Sequence, residues 1–139
     1  MNDVTPLITV DDVDPCLPFW TDRFGFEVVA TVPHGEGTGF AMLQKGDVVV
    51  MYQSRASIQD DLEAEAPGHP GLADRLAAGV ATLFIKVDDL DPVVAALAGA
   101  DVVVPRRQTF YGMDEIFVMA PCGTLVGFAA PLAEEGGDA

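Results

Sequence analysis

The sequence predicts an α+β fold of two tandem strand-helix-three-strand modules, and three features carry that prediction. Val10-Asp11-Asp12-Val13-Asp14-Pro15 recurs as Val87-Asp88-Asp89-Leu90-Asp91-Pro92, 77 residues further on. An apolar run precedes each copy, Thr5 to Val10 and Thr82 to Val87, and a helical stretch ending at a glycine follows it. Met119 and Gly123 stand at the same offset from Met42 and Gly46, so the closing strands of the modules also correspond. A chain of 139 residues suits a single domain, because either half alone buries too little apolar surface to be stable. The expected bounds are about 4–56 for module one, about 57–78 for a linker and about 79–131 for module two.

The elements follow in order. Thr5 to Val10 reads as a strand with Ile8 and Val10 on one face and Thr5, Leu7 and Thr9 on the other. Asp14 and Asp91 are expected as helix N-caps, since a carboxylate accepts from the free amides of the first turn and the following proline has no amide to leave unpaired. A calcium loop would need a central glycine and a late glutamate, and neither is at the required spacing. The helix from Asp14 to about Phe24 carries Leu17, Trp20 and Phe24 at helical spacing and ends at Gly25. Phe26 to Val32 supplies a second strand.

Pro33-His34-Gly35-Glu36-Gly37-Thr38-Gly39 is expected to be a flexible loop, and no lysine follows it to complete a phosphate-binding pattern. Phe40 to Leu43 and Val48 to Gln53 form a hairpin about Lys45-Gly46-Asp47. In the linker Ser57 is expected to cap a short acidic helix, which Pro67-Gly68-His69-Pro70-Gly71 interrupts. Module two opens with Leu83, Ile85 and Val87 on one face and Thr82, Phe84 and Lys86 on the other. Its helix runs from Asp91 towards Gly99, Val102 to Val104 is the next strand, and the tail from Glu134 is expected to fray.

Half of the residues are hydrophobic and mean hydropathy is +0.30, enough for a substantial core. No apolar run approaches the roughly 20 residues that span a bilayer, and the N-terminus lacks a basic segment followed by an apolar core. The expectation is a soluble, cytoplasmic protein. With 22 acidic against 7 basic residues the net charge is −15, which repels nucleic acid and anionic membranes, and which would favour cationic ligands if the acids line a cleft and otherwise only aids solubility. Cys16 and Cys122 make no disulfide framework, and neither has a basic neighbour in sequence to activate its thiol.

Two modules of this form, each opening on the Val-Asp-Asp-x-Asp-Pro pattern, resemble the vicinal oxygen chelate superfamily of glyoxalases, bleomycin-resistance proteins and extradiol dioxygenases. The most specific match runs from Tyr111-Gly112 through Ala120-Pro121-Cys122-Gly123-Thr124-Leu125 and resembles the family's aromatic-glycine loop, strand, Asp-Pro-x-Gly-Asn turn and final strand; Ala120 and Thr124 depart from that turn. The resemblance covers about residues 4–131. It implies curved mixed sheets around a cavity, and a homodimer. In the family's metal enzymes a histidine or equivalent ligand opens each module and a glutamate stands in its last strand. The matching positions here are Thr5, Thr82, Met51 (Val50 if the register slips) and Gly127. Weak hydroxyls, a soft sulfur and a glycine do not make a site for a hard or borderline cation, so neither metal nor other cofactor is expected. His34 and His69, both read as loop residues, lack a spaced partner.

The function these residues imply is that of a metal-free small-molecule-binding protein of the bleomycin-resistance type, taking an antibiotic or another cationic or aromatic ligand. Strand alternation and the family's cavity nominate His34, Met51, Gln53, Phe84, Lys86 and Tyr111 as its lining. One alternative is a lyase, isomerase or dioxygenase with a divergent site, for which Lys86 and then Glu115 are the available titratable groups. The other is an interaction module with a filled cavity and no small ligand.

Overall fold

The computed structural model describes residues 2–79 and 81–133. The tail expected to fray lies outside them. The chain divides into two compact units, one reaching Val80 and one beginning at Ala81, and each holds one module.

In the first unit, β1 (Leu7–Val10) leads through a short 3-10 turn (Asp14–Cys16) into α1 (Leu17–Phe24). Then come β2 (Glu27–His34), β3 (Gly37–Lys45) and β4 (Val48–Ser54), followed by α2 (Arg55–Glu65) and α3 (Leu72–Ala78). The sheet order is β1-β4-β3-β2, parallel between β1 and β4 and antiparallel elsewhere. Trp20 on α1 and Tyr52 on β4 are both fully buried, and the indole Nε1–H donates to the Tyr52 hydroxyl over 2.8 Å. That bond identifies the helix-covered side of the sheet. Val50, Tyr52, Ala41 and Leu43 line it, and Phe19 and Phe26 each meet the Trp20 ring edge-on at 5.1 Å.

In the second unit, β5 (Leu83–Lys86), α4 (Asp91–Ala96), β6 (Asp101–Gln108), β7 (Met113–Met119), a 3-10 turn (Pro121–Gly123) and β8 (Leu125–Pro131) repeat the order of the first. The sheet is β5-β8-β7-β6, again with only its first pair parallel. The predicted α+β fold and both βαβββ successions are present. Alternation along β5 is also as read: Phe84 and Lys86 are exposed, while Leu83 and Ile85 are half-buried in cross-strand rows with the buried Val126 and Phe128.

Several local expectations are corrected. Asp14 and Asp91 are the first residues of their helical turns and not caps: Val13 and Leu90 precede them with helical dihedrals and no side-chain cap bond. In the second copy the capping acceptor is the earlier Asp89, whose Oδ1 takes the Asp91 amide at 3.0 Å. The first-turn carboxylates are then free to bind side chains, Asp14 from the Thr38 hydroxyl at 2.6 Å and Asp91 from Arg106 at 2.8 Å. The helix expected from Asp14 is a 3-10 turn running into the α-helix at Leu17.

The glycine-rich stretch is no flexible loop. Its residues continue β2 and β3 into a tight hairpin at Gly35-Glu36, with His34 paired to Gly37. A Cβ on Gly39 would come within 2.7 Å of the His34 Cβ, so glycine is what lets this hairpin close. The cap of α2 is Ser54, which accepts from the Ser57 amide at 3.1 Å; Ser57 is the donor's residue. The linker is thus two helices attached to unit one, where Arg55 on α2 pairs with Asp11 after β1 and with Asp74 on α3.

Candidate functional site

Each sheet turns one face to its helices and leaves the other half open, and the predicted lining residues fall on or beside the open faces. On unit one, register places Leu7, Met51 and Met42 in one cross-strand row and Thr9, Gln53 and Phe40 in the next. Met51, Gln53, Met42 and Phe40 are half-buried. Gln53 donates through Nε2 to Asp61 Oδ2 at 3.2 Å and to the Ser57 hydroxyl at 3.4 Å. His34, at the end of β2, places Nε2 2.7 Å from Asp60 Oδ2. α2, part of the short acidic helix expected in the linker, therefore supplies both carboxylates. A recess of about 430 Å³ lies beside this histidine, walled by Asp11, Asp12, Asp14, Thr38 and Ser54.

On unit two the open face is carried by β5, β8, β7 and β6. Lys86, Ala129, Glu115 and Arg107 form one cross-strand row, and Phe84, Gly127, Phe117 and Val104 form the next. Glu115 is wholly buried, and its Oε1 receives three donors: Arg107 Nε at 3.1 Å, Arg107 Nη2 at 2.8 Å and the Tyr111 hydroxyl at 2.6 Å. Its Oε2 is buried with no hydrogen-bond partner among the described residues. Tyr111 rides on a turn held by Thr109, which takes the Gly112 amide on its carbonyl and the Met113 amide on its hydroxyl. The bond to Glu115, reinforced by partial burial, holds the Tyr111 phenol above its usual pKa, and the Arg107 guanidinium is raised by the same carboxylate. On the helix side, Arg106 bridges Asp91 and Asp114 and keeps the Asp114 carboxyl below the usual carboxylate range.

Of the six residues predicted as lining, the structure brings His34 and Gln53 against α2 in unit one. Phe84, Lys86 and Tyr111 gather on the Glu115 face of unit two. Met51 sits in the open sheet of unit one with no polar role. His34 is a strand residue and not, as expected, a loop residue. Sequence reading missed Arg107 and Phe117, and it ranked Glu115 only as a second titratable group. The alternation of Met113, Glu115 and Phe117 against Ile116 and Val118 was the available signal for their shared face.

The residues at the family's metal positions do not fit a metal. Thr5 is half-buried, Thr82 is exposed, and Met51 offers a thioether. At Gly127 a Cβ would lie 2.4 Å from Phe117 Cε2, so the ring fills the space a coordinating side chain needs. Among the described residues no group of three or more His, Cys, Asp or Glu is placed to hold an ion.

Two βαβββ units, each with one parallel strand pair, define a duplicated sheet scaffold. The chain belongs to the Glyoxalase/Bleomycin resistance protein/Dioxygenase superfamily, whose sequence profile matches residues 3–128. Among solved structures it is similar to TioX from Micromonospora sp. ML1, with 21% identity, a TM-score of 0.71 and coverage of 95% of this chain and 100% of that one. Lactoylglutathione lyase from Agrobacterium tumefaciens matches at 18% identity and TM-score 0.71, covering 94% of each chain. A bleomycin-binding protein complexed with bleomycin matches at 18% identity and TM-score 0.61, covering 94% of this chain and 98% of that one. At these identities the likeness establishes the fold. No curated protein sequence matches. Among the described residues no helix is long and apolar enough to cross a membrane.

Proposed function

We propose that this chain is a small-molecule-binding protein that uses none of the family's four metal positions and holds an organic ligand on the open face of unit two. The observation that carries the reading is the Phe117 ring closed over Gly127, 6.1 Å between centroids from the 46% exposed Phe84 ring. Where a metal enzyme of the family needs a carboxylate, this chain presents aromatic surface. Such surface suits a flat ligand, and a few polar anchors suffice to orient it. Lys86, Arg107 and Glu115 supply those anchors in the adjoining row. The neighbour that binds bleomycin supports this reading by its fold, and the identity of the ligand does not carry over.

The experiment has two arms on protein purified without chelator. Elemental analysis is expected to find no stoichiometric transition metal, and ligand-observed NMR with a library of flat aromatic fragments is expected to find binders displaced from Phe84→Ala protein. About one zinc, iron, nickel or manganese per chain, held inside a unit, would overturn the metal-free reading and put an enzyme in its place. Fragments that bind Phe84→Ala as well as wild type would move the site elsewhere.

A further inference from the structure

The buried carboxylate of Glu115 is bonded asymmetrically, and the asymmetry bears on what the ligand must carry. Oε1 accepts from Arg107 twice and from Tyr111 once, while Oε2, equally buried, accepts from nothing among the described residues. Folded proteins rarely leave a buried carboxylate oxygen without a donor, and each exception calls for an explanation, a donor supplied by water or by a ligand among them. Glu115 stands one row from the Phe84 and Phe117 rings, on the same face of the sheet.

We infer that Glu115 Oε2 is the anchor for a neutral hydrogen-bond donor, a hydroxyl or amide N–H, on the edge of a flat ligand that lies against Phe84 and Phe117. Neutrality follows from the local charges. Arg107 already balances Glu115 at hydrogen-bond distance, and Lys86 adds a second positive group to the same row. The net charge of −15 is spread over the whole chain, and exposed charges beyond a Debye length of about 8–10 Å are largely screened, so the near cations decide. The side chain that can yield to admit the donor is Tyr111, which is 51% exposed, bonded to the same carboxylate and carried on the Thr109–Gly112 turn.

This inference rests on unit two's open face being the ligand site, and the test separates the two ideas. Full-length protein is titrated with 2-naphthol, its methyl ether 2-methoxynaphthalene and the cationic 2-naphthylmethylamine, followed by ligand-observed NMR and by the side-chain carboxyl carbon of Glu115 in 13C-glutamate-labelled protein. Wild type is expected to bind the naphthol at least about tenfold more tightly than the ether, the worth of one bond to a charged acceptor, and no less tightly than the amine. The Glu115 carbon should move with the naphthol and stay still with the ether. In Glu115→Gln an amide N–H2 replaces an acceptor oxygen, so the naphthol-to-ether ratio should fall to within about twofold. In Tyr111→Phe the ratio should persist; its loss would make the Tyr111 hydroxyl the anchor and overturn the inference. Equal affinity of naphthol and ether for wild type overturns the donor anchor and leaves the aromatic site standing. Tightest binding of the amine overturns neutrality, and absence of binding by all three overturns the inference and the site together. Should Glu115→Gln fail to fold, a motionless Glu115 carbon in wild type decides against the anchor by itself.

Discussion

Replacing Gly127 with alanine asks whether Phe117 really closes that position. Gly127 lies in β8 with ordinary strand dihedrals, so the backbone accepts alanine, and in an open strand the exchange would stabilise by about 0.5–1 kcal/mol through reduced chain entropy. Here the new Cβ would meet Phe117 Cε2, Cδ2 and Cζ at 2.4, 2.7 and 2.8 Å. Restoring ordinary contact requires the ring edge to retreat by roughly 1 Å, against its packing on Phe84, and forced overpacking of this kind costs about 1–3 kcal/mol. The net expectation is a loss of about 1 kcal/mol, or roughly 3–5 °C in Tm for a chain of this length. Urea unfolding of Gly127→Ala, Phe117→Leu and the double variant supplies the assay. The smaller leucine should relieve the clash, giving a favourable coupling of about 1 kcal/mol in the double-mutant cycle. A neutral or stabilised Gly127→Ala, or strict additivity in the cycle, would refute the claim that the ring occupies the coordinating position.

Further outcomes are expected elsewhere. Tyr52→Phe strands the fully buried Trp20 Nε1–H and should cost about 1–3 kcal/mol in urea unfolding, with a blue-shifted tryptophan emission unchanged by solvent quenchers. Asp114 has a folded pKa below its unfolded value, so its contribution is present above about pH 4 and lost as pH falls through the folded value. Arg106→Gln should therefore flatten the acid limb of the stability profile, and an unchanged limb would show that the Arg106 bridge has no such role. Light scattering is expected to show a homodimer, an expectation drawn from family resemblance, and a monomer throughout the micromolar range would count against it.

The duplicated Val-Asp-Asp motif made the modules legible in the sequence because strand, turn and helix are local and the repeat fixed their order twice. Facing was legible too: period-two alternation set Phe84 and Lys86 opposite Leu83 and Ile85, as the structure has them. Caps and partners were not. Whether Asp14 caps its helix or binds Thr38 depends on where β3 passes, 24 residues away. The Arg107–Glu115–Tyr111 cluster needs the β6–β7 register, which carries two irregularities, so residue spacing alone could not bring Arg107 opposite Glu115. The glycine-rich stretch misled because glycine signals mobility and tight closure equally; at Gly39 it was closure that required it.

The scarcity of basic side chains gives the paired arginine clips a consequence in salt. Lys45 Nζ donates to the Phe24 carbonyl at the end of α1, while Arg55, Arg106 and Arg107 are each engaged by carboxylates within their own unit. With 22 acids against 7 bases, carboxylates outnumber the cationic side chains about threefold, and dissolved cations supply the remaining counter-charge. Added salt weakens a few exposed clips and relieves a much larger self-repulsion. Brine should therefore tighten this fold, where dilute buffer leaves its self-repulsion unscreened.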